Sequence, residues 1–419
     1  EALGGVVNLI SSENKDSLSL NFDYKFASYN TNDINLSTGI ISKDGKKFNL
    51  FINSYSSDGY DLDNTDNLNT IDPFKNYTVY LKYSFKKENL FFSSSARIFD
   101  EKQNFKIDEN YFGNNNILEW NSNSRINYKI SDSFNIESDI YLTSYNSQEK
   151  ISSNSMDQEE DFFDQFLLKT EVRTIIDLWI RDKLTLGLGF YDESLSRNNF
   201  YKNKVSQYSI NLFSQLEGFI SNSTNYIIGA RYDNYNNYKS QISPRIAIRT
   251  KLFEDVFFKS SIGRGFKAPD FRQLYFNFSN STVGYSVIGF NVVNEVIYEL
   301  TKNNQIVNLV VPIEEFNEEL KPESSRSINV GFKYYPSNNV KLEINLFRND
   351  IDNLIDYKVI ANKKNGQNVF SYFNLNKVYT QGIESTFNFR PNEKLNFIIG
   401  YQFLEAKDKD VKSSINNGE

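Results

Sequence analysis

Long runs in which apolar and polar side chains alternate one by one constrain this chain more than any other feature of its sequence. The run LSLNFDYKF is followed along the chain by NYTVYLKYSF, VKLEINLF and KLNFIIGYQF. Successive side chains of a β-strand point to opposite faces of its sheet, so this period of two predicts strands and not helices. In the first run the apolar face carries Leu18, Leu20, Phe22, Tyr24 and Phe26.

The length of these runs separates two kinds of all-β fold. A soluble sheet with one buried face shows the same alternation, but its strands are mostly about 5–6 residues long. The runs here reach roughly 9–14 residues, which is the span that a tilted strand needs to cross a bilayer. Their apolar faces are rich in the 36 Phe and 27 Tyr of the chain, as interfacial aromatic girdles require. The pattern favours an all-β, transmembrane antiparallel β-barrel over a soluble sheet.

The connections between the runs are predicted to alternate between short and long. Short turns at one rim and long loops at the other are typical of outer-membrane barrels. About seventeen strands are predicted, whereas closed single-chain bacterial barrels have even numbers. Because an unpaired strand edge cannot lie in lipid, we expect further strands to complete the sheet. The short turns are predicted at 42–47, 85–89 and 335–339, and the long loops at 57–75, 100–116, 146–164 and 270–323.

Composition excludes several classes of function. The chain has no Cys and no His, which removes disulfides, thiolate zinc sites and imidazole bases from it. A net charge of −7 disfavours a nucleic-acid partner held by phosphate contacts. Lys and Arg are scattered along the sequence, so no basic patch is visible in it. No constellation of catalytic residues stands out, and we do not expect an enzyme.

Four segments, in this order, resemble motifs of the TonB-dependent outer-membrane receptors. They are EALGGVVNLI (1–10), SIGRGFKAPDFRQLY (261–275), ELKPESSRSINVGFKYYP (319–336) and VYTQGIESTFNFRP (378–391). The first resembles the last strand of the plug domain of that family, and the others resemble boxes of its barrel. The motif residues are Gly4, Gly5, Gly265, Phe266, Ala268, Pro269, Leu320, Pro322, Glu323, Gly382 and Glu384.

The chain departs from the family pattern at two positions of the second segment, 261–275. Lys267 stands where the family has Arg, and Gln273 stands where it usually has Glu. The motif residues are expected to set strand ends and turn geometry and not to contact ligand. Glu323 and Arg326 are expected to form an exposed ion pair, which would contribute at most about 1 kcal/mol.

The resemblance implies a domain organisation, a location and partners. Residues 1–12 would be the end of a plug domain that is almost entirely missing, and residues 13–419 would be about seventeen of 22 barrel strands, with the C-terminal strands missing. The protein would lie in the bacterial outer membrane, in contact with its lipid. It would import a scarce nutrient with energy from TonB, through a box segment that this sequence lacks.

Two loops offer candidate ligand residues. In the stretch 270–323, Tyr275, Phe276, Phe278 and Tyr285 could stack on a planar chelate; the alternative is a loop that packs on itself. The other loop carries five carboxylates, Asp58, Asp61, Asp63, Asp66 and Asp72. Carboxylates at this density suit Ca²⁺, and the resemblance to cobalamin receptors implies calcium at a comparable place. The alternative is a solvated acidic loop, and no other cofactor is expected.

Several ligands and one other class of protein fit the sequence. A ferric siderophore is the leading expectation, because a chelate needs no protein ligand to its metal. Cobalamin is second. Haem is third, because the family's haem receptors use His, although Tyr can also ligate haem iron. A passive porin or a surface adhesin would share the strands but would not need the four motifs.

Overall fold

A computed structural model describes residues 16–63, 65, 68–108, 110–153, 158–178, 181–280 and 284–409. Twenty strands occur in these residues. In chain order they are β1 Leu18–Ala27, β2 Thr31–Ile41, β3 Lys47–Ser57, β4 Phe74–Lys87, β5 Leu90–Lys106, β6 Tyr111–Ser131, β7 Phe134–Ser153, β8 Gln158–Asp177, β9 Lys183–Arg197, β10 Lys204–Ser221, β11 Thr224–Tyr235, β12 Gln241–Phe253, β13 Val256–Lys267, β14 Asn277–Asn280, β15 Tyr285–Ile288, β16 Ile306–Leu309, β17 Glu323–Ser337, β18 Val340–Lys363, β19 Asn368–Asn392 and β20 Leu395–Asp408.

Strand length divides the described strands into two groups. Seventeen of them are 10–25 residues long, and the remaining three, β14–β16, have four residues each. The prediction of an antiparallel all-β fold with about seventeen long strands is therefore confirmed. Within the described residues, no helix is long and apolar enough to cross a membrane.

The chain divides into two compact units. The N-terminal unit contains the described residues up to 174 together with 189–209, and the C-terminal unit contains 175–188 together with 210–409. Residues 1–12, predicted to be the end of a plug domain, lie outside the described residues, as do Gly4 and Gly5. The division predicted at residue 12 therefore stays a prediction.

In the N-terminal unit, strands β1–β7 form a continuous antiparallel meander in which each strand pairs with the next. Alternate connections therefore lie at the same end of the sheet. Tight turns at 42–46, 88–89 and 132–133 occupy one end, as predicted for the first two, and the 58–73 connection lies at the other.

Two of the predicted long loops are wrong. Strands β5 and β6 leave only residues 107–110 between them, and β7 extends to Ser153. These polar stretches continue the backbone ladder beyond the apolar part of each strand. At an about 3.3 Å rise per residue, the 21 residues of β6 span about 70 Å. A strand of this length extends well beyond a hydrocarbon core about 30 Å thick, so its polar end lies in water.

One face of the N-terminal sheet is apolar. Paired residues on five neighbouring strands form a single row across it: Leu36, Ile52, Val79, Ile98 and Trp120. Four of these five side chains, all but Leu36, are exposed large hydrophobics. Residues of the opposite parity are mostly polar, as the period of two predicts. The apolar row is the face that suits lipid, and the polar face suits water.

The C-terminal unit contains β11–β13 and β17–β20. Consecutive long strands pair in antiparallel fashion, and β13 pairs directly with β17. Residues 268–322, hereafter the cap, are inserted between these two strands. They contain helices α1 (Phe271–Tyr275) and α2 (Val293–Lys302), two short 3₁₀ segments and strands β14–β16. Two-residue turns at 222–223, 254–255, 338–339 and 393–394 connect strands at the end of the sheet opposite the cap.

Candidate functional site

The cap is a folded layer with its own apolar core, and not an open loop. Ile288, Val293 and Ile297 are almost fully buried in it. The ring of Phe316 lies 5.2 Å from that of Phe290 and 4.9 Å from that of Phe373 on β19. Strand β15 also pairs in parallel with β19, and β16 pairs with β18. The cap is therefore fixed to β18 and β19 by side-chain packing and by backbone pairing.

The motif at the start of the cap forms a reciprocal helix cap. The Asp270 carboxylate accepts a hydrogen bond of 2.8 Å from the backbone N–H of Gln273, and the side-chain Oε1 of Gln273 accepts one of 3.0 Å from the backbone N–H of Asp270. Glu and Gln can both supply the second of these bonds. Gln273 therefore replaces the acidic residue of the family motif, and the capping box at the start of α1 is kept.

Three of the four predicted aromatic residues, Phe276, Phe278 and Tyr285, form one cluster in the cap, whereas the fourth, Tyr275, contacts Phe271 with ring centroids 6.4 Å apart. The rings of Phe276 and Phe278 stack with centroids 5.5 Å apart, and Tyr285 meets Phe278 edge-on at 6.2 Å. The Arg272 guanidinium lies 5.3 Å from the Phe276 ring. Phe276 is 7% exposed, whereas Phe278, Tyr285 and Tyr275 are half-buried. Ligand contact by these residues stays a prediction, and Phe276 offers it the least surface.

Side-chain hydrogen bonds connect this aromatic cluster to the end of β18. Ser279 and Ser286 share a hydrogen bond of 2.7 Å across β14 and β15, and the Lys363 ammonium group donates one of 2.7 Å to the Ser286 hydroxyl oxygen. Residues 281–283, at the tip of this hairpin, lie outside the described residues. The hairpin is thus held next to Tyr285, at the pair of residues that precedes its last pair before the turn.

The two strand-end motifs meet at the base of the cap. Lys267 and Glu323 are cross-strand partners on β13 and β17, and Lys267 Nζ lies 3.2 Å from Glu323 Oε1. The expected pair between Glu323 and Arg326 is wrong, since Arg326 instead binds Asp352 at 2.8 Å. Neighbouring residues of a strand point to opposite faces, so positions 323 and 326 face apart. Glu323 is also buried, and not exposed as expected.

The other motif residues also occupy structural positions. Pro269, Leu320 and Pro322 are buried where the cap joins its strands. A Cβ atom at Gly382 would lie 2.1 Å from the Phe403 carbonyl oxygen and 2.9 Å from the Phe347 ring. The remaining motif residues lie in or next to the same strands: Gly265, Phe266, Ala268 and Glu384.

The acidic loop is organised by turns within it. The Asp61 carboxylate accepts a hydrogen bond from the Asp63 amide at 2.8 Å, and Asp63 accepts from the Thr65 amide and hydroxyl at 3.0 and 2.6 Å. The Thr65 hydroxyl, and next its amide, hold the pKa of Asp63 below its usual value. Asp58 and Asp72 lie at the two ends of the loop, whereas Asp66 lies outside the described residues.

Among the described residues, no three or more acidic side chains are placed to hold one metal ion. Because Asp66 is not part of that set, calcium binding in the 58–72 loop stays a prediction. The local hydrogen bonds of Asp61 and Asp63 would have to rearrange for both carboxylates to face one ion.

The polar face of the N-terminal sheet carries a network of ion pairs. Arg173 lies 2.7 Å from Glu137, 3.4 Å from Asp139 and 3.2 Å from Glu171. Arg125 lies 2.6 Å from Asp139 and shares that carboxylate with Arg173. Charges arranged in such a network suit a water-filled interior and a polar solute.

A basic cavity on the polar face of the C-terminal sheet was missed by the sequence analysis. It has a volume of about 440 Å³ and is lined by Arg245, Arg249 and Lys259. Arg249 and Lys259 are cross-strand partners on β12 and β13, and Lys259 lies over Gly331. Within the described part of the chain, Arg245 and Lys259 form no ion pair. Three amides also line the cavity: Asn225, Asn329 and Asn345.

Comparison with known proteins decides the family. The family model described as "TonB dependent receptor-like, beta-barrel" matches residues 8–419, almost the whole chain. The chain belongs to this family of TonB-dependent receptor β-barrels. The receptors of this family are outer-membrane proteins, and this receptor therefore lies in the outer membrane.

Solved structures show the same fold. The siderophore receptor PirA from Pseudomonas aeruginosa is 16% identical with a TM-score of 0.68, over 96% of this chain and 69% of that one. The copper transporter OprC is 12% identical with a TM-score of 0.68, over 96% and 63%. The alcaligin outer-membrane receptor FauA from Bordetella pertussis is 12% identical with a TM-score of 0.60, over 96% and 63%. The receptor chain thus spans about two thirds of the length of these proteins.

Family membership also orients the sheet. Barrels of this kind carry short turns on the periplasmic side and long connections on the extracellular side. The two-residue turns of the receptor therefore face the periplasm. The cap and the 58–73 connection face the outside of the cell, where a ligand first arrives.

Proposed function

We propose that this receptor imports a ferric siderophore across the outer membrane, with energy supplied through TonB. The observation that carries the proposal is the family match over residues 8–419. The names of PirA and FauA, a siderophore receptor and an alcaligin receptor, favour a chelate as the ligand. TonB itself would act through a box segment outside this sequence.

The donor chemistry of the chain supports a metal that arrives inside a chelate. Bare copper and haem iron are usually held by His, Cys or Met side chains, and this chain has no His, no Cys and one Met. A chelate brings its own metal ligands, so the protein needs only stacking and hydrogen-bonding groups. For this reason a ferric siderophore is preferred to the copper ion that the name of OprC suggests.

The extracellular cap can supply such groups. Phe278 and Tyr285 keep part of their ring surface exposed, and both rings are held in place by neighbouring aromatic side chains. The exposed Arg272 lies over the ring of Phe276, which stacks on Phe278, and its Nε donates to the Tyr372 hydroxyl oxygen at 3.1 Å. Aromatic faces next to a fixed cation suit a planar, negatively charged chelate.

Cobalamin is the second candidate, because the acidic loop lies on the extracellular side and could bind the calcium that the resemblance implies. Haem is third, because this chain has no His to bind the haem iron. A passive porin is not supported, because the chain belongs to a receptor family.

A binding panel tests the proposal. Purified full-length receptor would be titrated with iron-55 complexes of catecholate and hydroxamate siderophores, with cobalt-57 cobalamin and with haem. We expect at least one ferric siderophore to bind far more tightly than cobalamin or haem. Tight binding of cobalamin alone, lost on calcium chelation, would replace the siderophore with the second candidate.

A further inference from the structure

A positively charged surface lies on the polar face of the C-terminal sheet, toward its periplasmic end. Arg249 on β12 and Lys259 on β13 are cross-strand partners, so two cations lie directly opposite each other near the turn at 254–255. Arg245 lies on the same face of β12, and all three side chains are exposed. Together they line the basic cavity, whose volume is about 440 Å³. Like charges directly opposite each other destabilise a sheet, so packing alone does not account for this pair.

The strands around the cavity offer little negative charge to neutralise these cations. Neither β12 nor β13 contains an Asp or a Glu. On β18, Glu343 is already bound by Lys333 and, at 3.1 Å, by Lys341. On β11, Asp233 is bound by Arg231 at 2.9 Å. The cations of the cavity therefore keep their charge for a partner outside the sheet.

Neighbouring residues hold two of the cations in place. The Arg249 guanidinium lies 5.1 Å from the Phe257 ring, whose face attracts positive charge. The Lys259 side chain extends across Gly331 on β17, where a Cβ atom would lie 2.3 Å from Lys259 Cε. Asparagine amides complete the lining of the cavity. Fixed cations beside amide donors suit an anion that presents carboxylate or catecholate oxygens, because hydrogen bonds between charged groups are the strong ones.

A strip of small side chains leads along β13 and β17 from the cap to the cavity. It begins below the Lys267–Glu323 pair and ends at Lys259. Three cross-strand pairs form it on the polar face, and none contains a large side chain: Gly265–Ser325, Gly263–Ser327 and Ser261–Asn329. Lys267 and Lys259 are eight residues apart, which at about 3.3 Å per residue is about 26 Å. The strip leaves space in front of the sheet between the extracellular cap and the three cations.

We propose that Arg245, Arg249 and Lys259 form a transit site that binds an anionic chelate on its way from the cap to the periplasm. The inference rests on the proposed import of a ferric siderophore and narrows the substrate to chelates with a negative charge. A chelate is preferred to a carboxylate from another part of the receptor, because the strip joins the cations to the side from which the ligand arrives. A site in a transport path must also release its solute, and exposed cations suit such weak binding.

Iron uptake by cells that carry the full-length receptor tests this proposal. The iron-55 siderophore selected by the binding panel would be supplied to the wild type, to the double variant Arg249→Gln with Lys259→Gln, and to the control Lys82→Gln. Lys82 lies on the polar face of the N-terminal sheet, toward its periplasmic end. Because a cleft of one charge sign raises the local concentration of counter-charged solutes about tenfold or more, the double variant should import iron about tenfold more slowly. Lys82→Gln, and the charge-conserving double variant Arg249→Lys with Lys259→Arg, should import it at the wild-type rate.

The urea midpoint of the purified receptor separates a chelate from a carboxylate of the receptor itself. The glutamine double variant should unfold at the wild-type midpoint or above it, because a repulsion is removed. A lower midpoint would mean that the cations hold a carboxylate of the receptor, and would overturn the proposal. An unchanged uptake rate, or a panel ligand without negative charge, would overturn it too but leave the proposed function standing. Failure of every ferric siderophore to bind the wild type would instead refute the proposed function, and this inference with it.

Discussion

Lys267 and Glu323 lie 56 positions apart in the chain, yet the ammonium nitrogen of one is 3.2 Å from a carboxylate oxygen of the other. The same Glu323 oxygen accepts a hydrogen bond of 3.2 Å from the Ile355 amide on β18. One buried carboxylate thus joins three neighbouring strands at the level where the cap begins. The two family motifs that contain Lys267 and Glu323 thus hold β13, β17 and β18 together where the cap begins.

Glu323→Ala is expected to destabilise the receptor. The change leaves the buried Ile355 amide without its acceptor, which costs about 1–3 kcal/mol. Lys267→Ala should also destabilise the receptor, because it leaves the buried Glu323 carboxylate without its counter-charge. The urea midpoint of the full-length receptor in detergent measures both effects. Lys267→Arg is the control and should match the wild type. An unchanged midpoint for Glu323→Ala would contradict the proposed role of Glu323 in holding the three strands together.

Gly382→Ala should destabilise the sheet, whereas Gly400→Ala on the neighbouring strand should not. A new Cβ atom at position 382 would collide with the Phe403 backbone and the Phe347 ring, and one at position 400 would meet nothing within 4 Å. Overpacking of this kind costs about 1–3 kcal/mol. The same urea titration compares the two variants. Equal midpoints would mean that Gly382 is not held by close contact.

Tyr285→Ala should weaken chelate binding, and Tyr298→Ala should not. Both tyrosines belong to the cap, but Tyr298 lies on α2, is highly exposed and is not one of the rings of the stacked cluster. Loss of one aromatic contact of about 0.5–1.5 kcal/mol corresponds to about twofold to twelvefold in Kd. Equilibrium binding of the iron-55 chelate provides the measurement. Equal losses in both variants would show that the stacked edge is not the chelate surface.

Calcium binding by the acidic loop can be measured directly with calcium-45. If the loop holds the ion, Asp61→Asn and Asp63→Asn should each lower its affinity at least about tenfold, because hard cations require charged oxygen ligands. Asp44→Asn is the matched control, since Asp44 is an exposed carboxylate in the short turn at 42–46. Binding that is absent from the wild type, or unaffected by both loop variants, would leave a solvated acidic loop.

The sequence predicted the strands well because each one carries its own signal. Alternation, length and turn residues are local, and together they indicated about seventeen long strands. The polar ends of β5–β8 were misread as loops, because without the apolar face the pattern no longer distinguishes a strand in water from a connection. Backbone pairing, and not side-chain hydrophobicity, extends these strands.

Features that depend on which residues pair across neighbouring strands could not be predicted from the sequence in the same way. The basic cavity forms because Arg249 meets Lys259 across β12 and β13, a pairing that is set by the turn between the two strands. Likewise, Arg326 was expected to bind a neighbour in sequence but binds Asp352 on the next strand. Helix α2 of the cap could have been predicted from the sequence, because its apolar residues follow the helical spacing of three and four. These residues are Val293, Val296, Ile297 and Leu300.

Energy-dependent uptake tests the central claim most directly. Cells that lack their own siderophore receptors would carry the full-length gene and receive the iron-55 siderophore selected by the binding panel, with and without a protonophore. We predict that iron enters in energised cells and that entry falls to background when the proton-motive force is removed. Entry at the same rate in both conditions would contradict a TonB-dependent receptor and indicate passive diffusion.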